Sequence, residues 1–169
     1  MWLVRRTKNQ DILIYLCETT RLRRIMMANV TDKLLQLMAD SHVMFTKLHN
    51  YHWNVRGLQF YTLHAKTEEA YAFFATAYDD LAERILQLGG TPLVTLKDII
   101  ARTSIKEETK TRFDAEYVVK SILEDYQYFL NEFRALSEAA EGDPTTQAYA
   151  DDKVAHFEKE VWMLQSNLA

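Results

Sequence analysis

Residues 59–90, QFYTLHAKTEEAYAFFATAYDDLAERILQLGG, carry two interleaved patterns. At about 100° per residue, Leu63, Ala70, Phe74, Ala77, Leu81, Ile85 and Leu88 fall on one stripe of a helix, which must face a core within the chain. Taking His64 as zero, Glu68, Asp79 and Glu83 lie at about 40°, 60° and 100°, a second stripe roughly 150° from the first. This second stripe points away from the chain's own core. Ala72, Ala75 and Ala82 lie among its charges, and Tyr71 and Tyr78 flank it. A merely solvated face needs none of these, so small and aromatic residues between the charges predict a packed partner.

Helical periodicity continues on both sides. Thr31 and Asp32 read as a helix start, and Leu34, Leu35, Leu37, Met38, Val43, Met44, Phe45 and Leu48 carry the period to Val55, with Gly57 as the stop. The second helix runs from Gln59 to Leu88 and ends at Gly89, Gly90 and Pro92. A short apolar turn, Leu96 to Ile100, interrupts a connection too long for a plain hairpin. A third helix over Ala115 to Ala140 is broken by Gly142, Asp143 and Pro144, and a fourth covers Thr145 to Leu168. The expected fold is all-α: a ferritin-like four-helix bundle with a short helix in the long crossover between helices 2 and 3.

Composition agrees. A chain of 169 residues is one domain's worth, and four Gly with two Pro disfavour β-rich or loop-rich folds. A lone Cys17 excludes an intrachain disulfide framework and a cysteine-built metal site, so reducing cytoplasm is the expected compartment. No apolar run is long enough to span a bilayer, and Ile12 to Cys17 is too short for a signal core. Residues 1–26 hold six basic and two acidic side chains, +4, whereas the remainder holds 14 basic and 22 acidic, −8. Met26-Met27-Ala28 resembles a translation start. Residues 1–26 therefore read as an N-terminal extension, non-native or disordered, ahead of a domain over 27–169.

The outward stripe carries chemistry that one chain cannot complete. His64 and Glu68 are one turn apart, as are Asp79 and Glu83, but the two pairs are separated by about 22 Å of helix axis. A second copy lying antiparallel across a two-fold axis near Phe73 and Phe74 would bring each His64–Glu68 pair to the partner's acidic pair, making two identical sites. His52 precedes Gly57 by five residues and His64 follows it by seven, so an antiparallel turn puts the two imidazoles at similar height. Two imidazoles and three carboxylates without thiolate suit iron or manganese and can accept zinc. A centre inside one bundle would use Glu-x-x-His pairs. None exists, because the residues three before His42, His49, His52, His64 and His156 are Ala39, Thr46, His49, Tyr61 and Lys153.

The run His49-Asn50-Tyr51-His52-Trp53-Asn54-Val55-Arg56-Gly57, followed by Phe60, His64 and Asp79-Asp80-Leu81-Ala82-Glu83-Arg84-Ile85, closely resembles the Dps miniferritins, DNA-binding proteins from starved cells. Pro92-Leu93-Val94 and Val161-Trp162-Met163-Leu164 look most like the neutrophil-activating protein branch. The resemblance covers Met27 to Ala169. It implies a cytoplasmic, nucleoid-associated dodecamer built from two-fold dimers, a ferroxidase that oxidises Fe(II), preferentially with hydrogen peroxide, and stores the ferric mineral, protecting DNA. Carried over by position, His52 and His64 are iron ligands from one subunit and Asp79 and Glu83 from its mate, with Glu68 where many members have Asp. Zinc or manganese would substitute at the two-iron site. His49 is expected to orient ligands, Trp53 to pack or to scavenge an oxidising equivalent, and His42 and His156 to be surface or packing residues. Glu141, Asp143, Asp151 and Asp152 surround a turn that in the family lines negatively charged three-fold pores. The alternative function is a nucleoid DNA-binding or host-cell-stimulating surface protein with secondary iron chemistry. DNA would meet the basic arm, since the body is acidic.

Overall fold

A computed structural model describes the backbone of residues 8–169 and the side chains of residues 27–169. Five helices follow one another: α1 (Lys8–Asn54), α2 (Phe60–Gln87), α3 (Leu96–Arg102), α4 (Ala115–Ala139) and α5 (Pro144–Leu168). α1 pairs with α2 and α4 with α5, while α1 also meets α4 and α3. This is the expected bundle with its short crossover helix. Among the described residues, no helix is long and apolar enough to cross a membrane.

The start of the first helix differs from expectation. α1 runs through Thr31 and Asp32 without a break, because no Gly or Pro interrupts residues 8–54. Asp32 does not cap the helix; its carboxylate accepts from Arg102 at 2.7 Å and ties α3 to α1. The readings of Cys17 and of the basic side chains in residues 1–26 lie outside the described side chains.

The core is aliphatic towards α1 and aromatic towards α5. Leu34, Leu37, Met44 and Leu48 of α1 are fully buried, as are Phe74, Leu81 and Ile85 of α2. Phe157 of α5 stacks on Phe129 and Phe133 of α4, with ring centroids 5.5 and 5.7 Å apart. All seven residues of the expected seam stripe lie in the core or at its edge: Phe74, Ala77, Leu81 and Ile85 are buried, and Leu63, Ala70 and Leu88 are half-buried. Thr67, at the same angle, is buried too.

Two polar knots hold the connections. Asp40, fully buried on α1, accepts from Thr103 Oγ1 (2.9 Å), Ser104 N (2.7 Å), Tyr128 Oη (2.8 Å) and Gln36 Nε2 (3.0 Å), joining the crossover to α1 and α4. Arg84 near the end of α2 grips both carboxylate oxygens of Asp143 at 2.8 Å, and Asp143 in turn accepts from Thr146 at the start of α5. Gly90 follows α2 where a Cβ would come within 2.9 Å of Ile85 Cγ2 and 3.0 Å of Thr31 Cγ2, so only glycine lets the chain pass so close to α1.

These knots give two measurable expectations. Asp40→Ala strands several buried donors and should lower unfolding stability by about 3 kcal/mol, read by chemical denaturation; a change within error would show that water replaces the carboxylate. Burial pushes the Asp143 carboxyl up, but bonds from Thr146 and the Arg84 guanidinium outweigh it and hold the group below the usual carboxylate range. Its contribution is therefore present above the unfolded carboxyl's pKa and lost as pH falls through its own lower value. Asp143→Asn should flatten the acid limb of the stability profile.

Candidate metal centre

The last turn of α1 leaves three carbonyls without helical partners, since Tyr51 O still takes the helical bond from Val55 N at 3.0 Å. Trp53 O accepts from Arg56 Nη1 at 2.8 Å and Asn54 O from Phe113 N at 3.3 Å. The third, His52 O, accepts from His64 Nδ1 at 2.9 Å. Gly57, at φ +108°, turns the chain so that α2 returns alongside. His52 Nδ1 then donates to His64 O at 2.8 Å, and the two rings stack with centroids 3.6 Å apart.

This exchange sets the chemistry of both imidazoles. A carbonyl oxygen can only accept, so each Nδ1 carries a proton, and the neutral form of each ring is the one that presents the Nε2 lone pair. Thr67, one turn beyond His64, donates its hydroxyl to Leu63 O at 2.7 Å and lies 3.4 Å from His52 Nδ1, backing the pair from the core side. Glu68 completes the local group: His52, His64 and Glu68 each offer a ligand atom within 4.8 Å of the others. Among the described residues this is the one such group of three or more. His52 is buried, His64 half-buried and Glu68 exposed, so the cluster opens outward.

Asp79 and Glu83 are not brought to it. Both are exposed on α2, about 22 Å further along the axis. The face between them matches the sequence reading: Ala72 and Ala75 are exposed, with Tyr71 and Tyr78 half-buried beside them. Near the cluster, Trp53, Leu58 and Tyr61 stand exposed as well.

An aromatic layer supports the cluster. His49 donates Nδ1–H to Phe45 O at 2.8 Å and lies flat on Tyr71, centroids 3.8 Å apart. Tyr71 meets His52 edge-on at 5.3 Å, and its phenol is pushed up by desolvation and by the neighbouring Glu68 carboxylate. His49 thus lies outside the three-residue group. Trp53 is 62% exposed beside His49, at 5.3 Å, so the packing expected of it is not supplied by the chain's own core. His42 packs on Tyr78 and His156 on Phe73, and burial lowers both of their pKa values. Of the acidic residues around the last turn, Asp143 is held by Arg84, Asp151 accepts from Ser137, Asp152 pairs with Lys153 and Glu141 is exposed.

Thr67, Tyr71 as a support and Asp40 escaped the sequence reading. The signal for Thr67 was a lone hydroxyl on an otherwise apolar stripe. Long-range imidazole 15N spectra of the metal-free protein at neutral pH should show the Nδ1–H tautomer for both His52 and His64; the Nε2–H form at either would mean that the reciprocal exchange does not hold in solution.

Known proteins resemble this chain in sequence and in fold. The ferritin-like domain family matches residues 31–169. A DNA protection during starvation protein of Helicobacter pylori strain J99 is 52% identical over 138 residues, covering 80% of this chain and 96% of its own. The crystal structure of Helicobacter cinaedi CAIP superposes with TM-score 0.82 at 48% identity, covering 83% of this chain and 99% of its own. A Dps protein of Vibrio cholerae O1, described as a member of a broad superfamily of ferritin-like diiron-carboxylate proteins, does so with TM-score 0.81 at 32% identity, covering 86% of this chain and 92% of its own. The Helicobacter likeness fits the branch suggested by the residues around Pro92 and Trp162. The chain belongs to the Dps family of ferritin-like proteins.

Proposed function

We propose that this protein oxidises ferrous iron at sites shared between two subunits and stores the ferric product inside a hollow dodecamer. The observation that carries the reading is the half-built cluster: two tautomer-locked imidazoles and Glu68 open outward, while Asp79 and Glu83 wait on the same face about 22 Å away. Antiparallel docking of two α2 helices closes that gap twice. His52, His64 and Glu68 of one subunit then face Asp79 and Glu83 of the other, and family membership supports iron as the substrate.

The side chains divide the work. The imidazole lone pairs and Glu68 hold ferrous iron on one side, and the partner's acidic pair adds negative charge that stabilises the ferric product. Hydrogen peroxide takes one electron from each of two ferrous ions and two protons, giving two ferric ions and two waters. Pairing the electrons avoids release of hydroxyl radical, and that is how the chain protects DNA. Cytoplasm, with association to the nucleoid, is the setting in which this chemistry serves. Zinc fits the same nitrogen and oxygen donors but has no accessible redox step, so it should compete with iron and stop oxidation.

His64→Ala and Asp79→Ala should each slow ferrous oxidation by more than about tenfold while assembly persists, since both leave the core stripe untouched; His64→Ala also loses the bond to His52 O and should lower stability by about 1 kcal/mol. Subunits of the two variants mixed in one dimer should recover one of the two sites, because one subunit keeps its histidines and the other its acidic pair. Stopped-flow oxidation showing no recovery above either parent would overturn shared ligation.

A further inference from the structure

The three members of the cluster are not equally held. His52 and His64 fix each other through their Nδ1–H bonds to main-chain carbonyls. Glu68 is exposed, and among the described residues no basic side chain pairs with its carboxylate, whereas the adjacent Glu69 is paired with Lys66 at 2.6 Å. A glutamate has one more free torsion than an aspartate, so an unheld Glu68 spreads over many conformers, and ordering it on a metal costs entropy.

The group placed to hold it is the phenol of Tyr71, three residues on and therefore on the same side of α2. Three rings fix that phenol. His49 lies flat on it, with centroids 3.8 Å apart and planes 20° from parallel, and Phe45 and His52 meet it near perpendicular at 6.1 and 5.3 Å. His49 is itself fastened to α1 by its Nδ1–H bond to Phe45 O at 2.8 Å. Desolvation pushes the Tyr71 phenol up, and Glu68 adds to this both as a negative charge and as the acceptor of the phenol's hydrogen bond.

A neutral donor suits this task. A lysine or arginine at the same place would offset the carboxylate's charge and compete with a cation. A phenol gives one hydrogen bond to one carboxylate oxygen and leaves the other oxygen, and the negative charge, for the metal. We propose that Tyr71, fixed against His49, is a positioning residue that holds the Glu68 carboxylate ready beside the imidazoles of His52 and His64. The role rests on the cluster being a metal site, and it supplies the support that the exposed member of that cluster otherwise lacks.

The test uses the assembled full-length protein with cobalt(II) as the probe, titrated by visible absorption. Tyr71→Phe keeps the ring on His49 and removes only the hydroxyl; it should weaken cobalt binding about tenfold. Glu68→Ala should weaken it as well, and adding Tyr71→Phe to Glu68→Ala should bring no further loss, because the phenol then has nothing to hold. In metal-free crystals Glu68 should occupy one conformer in the unaltered protein and several in Tyr71→Phe. Cobalt affinity unchanged by Tyr71→Phe, a tenfold loss that recurs in the absence of Glu68, or equal spread of Glu68 in both crystals overturns the positioning role and leaves the metal site standing. An unaltered protein that binds no cobalt overturns the metal site itself, and the role with it.

Discussion

Two imidazoles at the corner between α1 and α2 each give a proton to the other's main-chain carbonyl. The bond from His64 satisfies a carbonyl that the end of α1 would otherwise leave bare, so a candidate ligand also serves as a helix cap. The bond from His52 fastens the return helix at the height of the corner. The corner thereby fixes the hairpin and points both Nε2 lone pairs outward with one device. Ligand geometry costs little extra ordering here, because the same bonds already order the chain.

The opposite end of α2 is secured by a different means. Arg84 projects from the last turns towards the α4–α5 break and holds Asp143, the residue that caps α5. Arg84 directly follows Glu83, so the acidic half of the outward stripe is carried on a segment pinned to the bundle at its next residue. Rigid presentation matters when a site must be completed by another surface, since each degree of freedom left in a half-site is lost on assembly.

Between these ends the crossover is moored by buried carboxylate chemistry. Asp40 gathers donors from Thr103, Ser104 and Tyr128, and Glu108 accepts from Tyr117 at 2.6 Å and from Lys110 N at 2.9 Å. Ile99, Ile105 and Phe113 of the connection are buried in the core. Its hydrogen bonds to α1 and α4 set its path, and the short parallel pairing of Val55 with Phe113 returns it to the corner between α1 and α2.

Periodicity and spacing by themselves determined the helix order, the inward and outward stripes of α2, and the distance of about 22 Å between its two ligand-type pairs, because a helix has a fixed rise and rotation per residue. The ordered signature from His49 to Gly57 and from Asp79 to Ile85 likewise sufficed to indicate the family. Local pattern misjudged the start of α1: Thr31 and Asp32 look like a cap, but a capping residue is a cap only where the helix ends, and nothing in residues 8–54 ends it. Tertiary structure alone decided the tautomers of His52 and His64, since these depend on which atom each Nδ1 meets across the corner. It also decided that Asp40 is a buried anchor and that His49 lies flat on Tyr71. Each depends on which atoms of another element a side chain meets, and that separation in space is encoded by no spacing along the chain.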